Sequence, residues 1–272
     1  MLSFRSDSAQ RSIAPQSGEA AKQNECLASQ HRRVRTQNRI HVIGVGIVNR
    51  YLVSDGDSSG WILVDTGVPY TGRLLLRRSL LRLAIAPQQV KMIVLTHGHV
   101  DHAGGAASAR QLTGAPIAIH RANHDLLERG LVVVPPLWSR AGRVVRAMLQ
   151  ATTGLLRFPR RKADVVIYDE GLTSEELGLR GRVVHTPGHT AGSTSLLLES
   201  GDAFVGDLVA GPTRSSERPR LPPAGDDQRQ MADSLCRLLG AGAKMIYPGH
   251  GAPFAASFAR EMLCTGSREA WK

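Results

Sequence analysis

Leu95-Thr-His97-Gly-His99-Val-Asp101-His102-Ala-Gly-Gly105 sets three imidazoles and a carboxylate into six positions, directly after the short apolar run Val90-Lys-Met-Ile-Val-Leu95, which reads as a buried strand. His97 and His99 are two apart, so an extended backbone sends both to the same side. Asp101 and His102 are adjacent and therefore diverge, as ligands to two neighbouring cations must. Gly98, Gly104 and Gly105 allow tight turns between these donors and into the next helix. Neutral imidazole nitrogen and carboxylate oxygen are donors that zinc accepts at about 2.0–2.2 Å, and the lack of a thiolate argues against a purely structural site. A lone His-x-His would say little; this density asks for a cation.

Upstream, Ile40–Val48, Tyr51–Val53 and Trp61–Val64, with the turn cluster Asp55–Gly60 between the last two, read as strands with an antiparallel start. Helical spacing follows at 73–85. Downstream, helix patterns at 104–112 and 121–129 flank a strand at 116–119. Strands are expected at 164–168, 181–186, 194–199, 202–206 and 243–247, with helices at 227–239 and 254–264. Strands outnumber helices, each half of the chain holds both, and no repeat of 20–50 residues occurs. The expected class is α/β, in the mixed α+β sense.

The 272 residues are 42% hydrophobic and 21% charged, which is ordinary globular usage and enough for a core without disulfide or metal staples. Net charge is +11, with 29 Arg among the 34 basic residues. Such a field draws polyanions, anionic lipid or acidic metabolites and says nothing of fold. Cys26, Cys236 and Cys264 are odd in number with no Cys-x-x-Cys, which excludes a disulfide scaffold or cysteine zinc site and fits a reducing, cytoplasmic setting. No run of 18 apolar residues is present, so no transmembrane segment is expected. Residues 1–38, rich in Ser, Gln and Arg, read as a disordered tail before one domain at 39–272; a transit peptide or a misplaced start codon are the alternatives.

The His-x-His-x-Asp-His pattern resembles the signature of the metallo-β-lactamase superfamily, and later segments resemble its remaining motifs in order over roughly residues 40–265. Asp65-Thr-Gly67 is similar to the first motif, whose Asp braces the ligand loops. Thr186-Pro-Gly-His189, Gly206-Asp207-Leu and Tyr247-Pro-Gly-His250 are similar to the later ones. The resemblance implies a four-layer αββα sandwich. It also implies two zinc ions, with iron or manganese as substitutes: His97, His99 and His189 on one, Asp101, His102 and His250 on the other, and Asp207 bridging. His41, His120, His124 and His31 are expected to be structural or exposed, and His185 to support the ligands from behind.

Asp207 stands where the family's true β-lactamases carry Cys or Ser, so the resemblance points away from antibiotics. It points toward a metal-bridging hydroxide attacking a carbon ester, lactone or thioester, with Asp101 passing a proton to the leaving group. A phosphodiesterase or nuclease, and a mono-iron persulfide dioxygenase, are the alternatives. The lactonase-like Tyr after the bridging Asp is missing, and only 22 residues follow His250, so the helical glutathione-binding domain of glyoxalase II-type enzymes is not expected. The partner is then a small molecule, with no obligate nucleic acid and an undetermined oligomeric state.

The insert at 131–162 carries a basic amphipathic pattern: Leu137, Ala141, Val144 and Met148, with Trp138, Val145 and Leu149 alongside, on one face, and Arg140, Arg143 and Arg146 on the other. It is expected to be a lid whose apolar stripe packs on the domain and lines the substrate while the arginines face water. Attachment to anionic membrane through 137–162 or to nucleic acid is the competing use.

Overall fold

Neighbouring residues on the central strands belong to different cores, and this alternation builds the layers. The computed structural model describes residues 38–44, 48–56, 60–70, 72–153, 155–214 and 216–265. The first sheet is ordered β1 (Arg39–Val42), β2 (Tyr51–Ser54), β3 (Trp61–Val64), β4 (Val90–Val94), β5 (Ile117–His120), β6 (Val165–Ile167). β1 to β3 pair antiparallel, as expected, and β3 to β6 parallel. The second sheet contains β7 (Gly181–His185), β8 (Thr194–Leu198), β9 (Asp202–Gly206), β10 (Met245–Pro248) and β11 (Phe254–Ala255). They lie in reverse order across it, and among the described residues of this second sheet β9 and β10 are the one parallel pair.

Leu52, Leu63, Ile93 and Ile117 face outward onto Leu76 and Leu80 of α1 (Gly72–Arg82) and onto α3 (Ala106–Thr113), which follows the short α2 (Val100–Ala103). Their neighbours Val53, Ile62, Val94 and Ala118 face inward onto Leu196, Leu198 and Phe204 of the second sheet. Leu197, Ala203 and Val205 turn the other way, onto the helices Gln228–Gly240 and Ala256–Thr265. Three apolar layers between four structural layers make the αββα sandwich. Phe204, fully buried between the sheets, stacks on Tyr247 at 4.7 Å. Phe204→Ala should cost about 3–5 kcal/mol, read by urea denaturation.

Parallel pairing is what positions the site, because parallel neighbours end at the same edge. β3 and β4 deliver Asp65 and the 95–102 segment side by side, with the Asp65 N–H donating to the Val94 carbonyl at 2.9 Å. β9 and β10 deliver Asp207 and His250 likewise.

Two local expectations change, and one helical turn is added. The helix expected at 104–112 is split: α2 starts at Val100 because the His99 carbonyl accepts the N–H groups of His102 and Ala103 at 3.0 and 2.8 Å. Asp101 and His102 share this helical turn and, contrary to the divergence expected from their adjacency, converge, with His102 Nε2 3.7 Å from Asp101 Oδ2. Phe254–Ala255 pairs with β10 before the last helix begins. Ser174–Leu177 is a capped helical turn, with Thr173 and Glu176 satisfying each other's backbone N–H groups. Residues 1–37 of the expected N-terminal tail, with His31, lie outside the described residues, and Asn38, its expected last residue, donates to Ser200 and Asp202.

The insert folds as a helix, Arg140–Thr153, but facing the opposite way from the expectation. Val144, Val145, Met148 and Leu149 are exposed, while Arg146 and Gln150 hydrogen-bond the backbone of Val134. The pattern fixed the stripe and not the side that meets the protein, and the polar anchors at Val134 decide that.

Candidate metal centre

Four loops at the common edge bring His97, His99, Asp101, His102, His189, Asp207 and His250 together. His97, His99 and His189 form one buried triplet, and Asp101, His102 and His250 a second, each with ligand atoms mutually within 4.8 Å. Asp207 reaches both: its Oδ1 is 3.2 Å from His102 Nε2, and its Oδ2 is 3.5 Å from His189 Nε2 and 3.4 Å from His250 Nε2. His189 Nε2 and His99 Nδ1 converge to 3.1 Å.

Each donor is held from behind. Asp65 accepts from His102 Nδ1 at 2.8 Å and from the Thr96 N–H and hydroxyl at 2.8 Å, and Thr96 Oγ1 lies 3.1 Å from His97 Nδ1. Its backbone φ of 58° is a left-handed conformation uncommon for Asp. The His189 Nδ1–H donates to the Ala224 carbonyl at 3.1 Å, and Asn123 Nδ2 donates to Thr190 in the same loop. Asn49 Nδ2 and the Tyr51 hydroxyl donate to the Pro248 carbonyl, pinning the His250 loop to the first sheet. Gly249 is required by close approach, since a Cβ there would sit 2.5 Å from both Asp207 Oδ1 and His102 Cε1. Thr96, Asn49 and Asn123 carry no motif signal beyond their place beside one.

The charges are unbalanced without a cation. Burial alone would lower the His102 imidazole, but Asp207, Asp65 and Asp101 outweigh it and hold it well above the usual histidine range. Burial is likewise outweighed at His250, which Asp101 and Asp207 raise to about 10. Burial beside His189 instead pushes His99 down to about 4, and burial beside His102 lowers His97 further. Asp207 stays well below the carboxylate range despite burial because His102 and His250 face it. Of four buried side-chain atoms that make no hydrogen bond among the described residues, three, His97 Nε2, His102 Nε2 and Asp207 Oδ1, belong to this cluster, the fourth being Arg161 Nε. Buried polar atoms are nearly always satisfied, so three unsatisfied ones on residues whose ligand atoms lie mutually within 4.8 Å fit a bound cation that takes the place of the His102 proton. The all-nitrogen-and-oxygen donor set fits zinc or a similar divalent ion.

The remaining histidines separate. His41 packs near Trp61, His124 pairs with Glu128 on a surface helix, and His120 is buried at the end of β5. Among the described residues, His185 has Ala191, Asp169 and His120 as partners, none of them a candidate ligand. It stacks on His120 at 4.2 Å, and its Nε2–H donates to the Ala191 carbonyl, so it steadies the His189 loop only through the backbone.

A cavity of about 500 Å³ opens on Asp101, Asp207, His189 and His250. Its far walls are Val132–Pro135 on one side and Val209, Pro222 and Pro223 on the other, with Arg220 as the one Lys or Arg among the described lining residues. The segment before the insert helix, and not the helix, forms the wall.

A two-sheet sandwich with helices outside and a His/Asp cluster on one edge defines a class, and comparison with known proteins names it. The "Metallo-beta-lactamase superfamily" model matches residues 43–250, and the chain belongs to this superfamily. The chain is 26% identical over 234 residues to "Probable metallo-hydrolase YflN" of Bacillus subtilis (strain 168), covering 79% of this chain and 84% of that protein. It is 31% identical over 195 residues to "Metallo-beta-lactamase domain-containing protein 1" of Xenopus laevis, covering 71% and 67%. Among solved structures, the BLEG-1 B3 metallo-beta-lactamase matches with a TM-score of 0.59 at 22% identity, covering 83% of this chain and 96% of that one, a likeness of fold alone.

Proposed function

We propose that this metallo-hydrolase cleaves carbon esters, lactones or thioesters at a two-zinc centre, with His97, His99 and His189 on one ion, Asp101, His102 and His250 on the other, and Asp207 shared. The observation that carries this reading is Asp207, whose two oxygens reach both triplets. Ions held there would supply Lewis acidity and lower the pKa of water from 15.7 to about 7.

The protein's own groups do the rest. Asp65 and Thr96 fix the ring orientation of His102 and His97, so the donors are arranged before substrate arrives. Asp101 differs from Asp207 in access: its side chain is 32% exposed against 10%, and it lines the cavity. A carboxylate at the junction of ligand cluster and cavity can accept a proton and pass it to a departing oxygen or sulfur. The valine and proline walls exclude water and suit an acyl group; with a single guanidinium they offer little to a polyanion. The test is a panel of acyl thioesters, lactones, aryl esters and phosphodiesters on zinc-loaded protein. Faster turnover of the carbon substrates, lost in Asp101→Asn, is expected; preference for the phosphodiester, or oxygen uptake on a persulfide with one iron bound, would overturn the reading.

A further inference from the structure

We propose that the outward face of the helix Arg140–Thr153 is a docking surface for an anionic lipid bilayer. Val144, Val145, Met148 and Leu149 on that face are 63%, 48%, 68% and 44% exposed, and Leu155 and Leu156 just beyond it are 87% and 57% exposed. The side turned to the protein is polar: Arg146 Nε donates to the Val134 carbonyl at 3.0 Å, and Gln150 Oε1 accepts the Val134 N–H at 2.9 Å. A helix on a globular domain ordinarily buries its apolar stripe. This one gives its polar side to the domain and its aliphatic side to water, and a contiguous apolar surface of that kind marks a place where something docks.

Charge selects the occupant. From Arg129 to Lys162 the chain carries eight basic residues and no acidic one. Arg129, Arg157 and Arg160 also line an open concavity of about 430 Å³ beside Tyr70 and Phe158. A second copy docked through the same segment would set one basic, acid-free stretch against another, like charge against like. A nucleic acid answers the charge but leaves the aliphatic side chains in water. An anionic bilayer answers both, taking the aliphatic residues into the acyl boundary and presenting phosphates to the arginines. Because the helix grips Val134, which walls the metal-site cavity, the docked protein has that cavity wall tied to the lipid surface.

The probe is flotation of the full chain with vesicles of phosphatidylcholine, alone or mixed with phosphatidylglycerol. It requires no hydrolysis, so its outcome and that of the substrate panel are independent. Binding is expected only with phosphatidylglycerol, and to weaken about tenfold when salt rises from about 0.1 to 0.5 M. Val144→Gln with Met148→Gln should lower it about tenfold, and Arg157→Gln with Arg160→Gln about fivefold. Val145→Trp should strengthen it, which keeps the test decisive if the Gln variants fold poorly. No binding to the anionic vesicles, no response to Val145→Trp, a dimer in solution that Val144→Gln with Met148→Gln dissociates, or tighter binding to duplex nucleic acid than to vesicles would each overturn the proposal.

Discussion

Two clusters of histidine and aspartate stand close together at the ends of strands, and their polar atoms do different things. In the cluster of His97, His99, Asp101, His102, His189, Asp207 and His250, three buried atoms, His97 Nε2, His102 Nε2 and Asp207 Oδ1, make no hydrogen bond among the described residues, and His99, Asp101, His189, Asp207 and His250 line a cavity. His120, Asp169 and His185 also lie within ligand distance of one another. There, however, the His120 Nε2–H donates to Asp169 at 3.1 Å, His120 Nδ1 accepts the Ala122 N–H, and the His185 Nε2–H donates to the Ala191 carbonyl. His120 thus has both ring nitrogens engaged, while His185 Nδ1 lies 3.7 Å from Asp169. Asp169 is 70% exposed, so its pairing is worth little beyond holding two rings in register. Residue composition is therefore a weak guide, and hydrogen-bond accounting separates the clusters.

The comparison breaks most sharply at Asp207. Asp207→Ala should lower metal content and reduce hydrolysis at least about 10³-fold, because its two oxygens face both triplets. Unchanged metal content by elemental analysis would remove the bridge. Asp101→Asn is expected to retain more metal, since an amide oxygen still ligates, while the rate falls about 10²–10³-fold. Rates near wild type with both ions bound would dismiss the proton-transfer role. Thr96→Val or Asp65→Asn should weaken metal affinity about 10–100-fold, measured by competition with a zinc chelator. Asp169→Asn should change metal affinity less than about twofold and stability by less than about 1 kcal/mol in urea denaturation. A loss of zinc there would merge the two clusters into one system.

Much of this was legible in the residues. His97 to His102 announced a cation before any strand was assigned, and the later motifs, read through the family resemblance, named the remaining candidates that the fold brings together. Alternation along Leu52-Val53 and Ile62-Leu63 matches the division between two cores. What the sequence withheld is what depends on long-range contact. Thr96 and Asn49 are ordinary polar residues until the fold sets them against Asp65 and Pro248. His185 stands four residues before His189, yet its ring points to His120. The amphipathic insert showed a stripe, and only the anchors on Val134 show that the stripe faces out.

Anomalous diffraction at the zinc edge from crystals of zinc-loaded protein tests the central claim most directly. The expected result is two peaks per chain, one against His97, His99 and His189 and the other against Asp101, His102 and His250, both in contact with Asp207, with no density beside His120, Asp169 and His185. A single peak away from Asp207, or a strong one at the second cluster, would contradict the account.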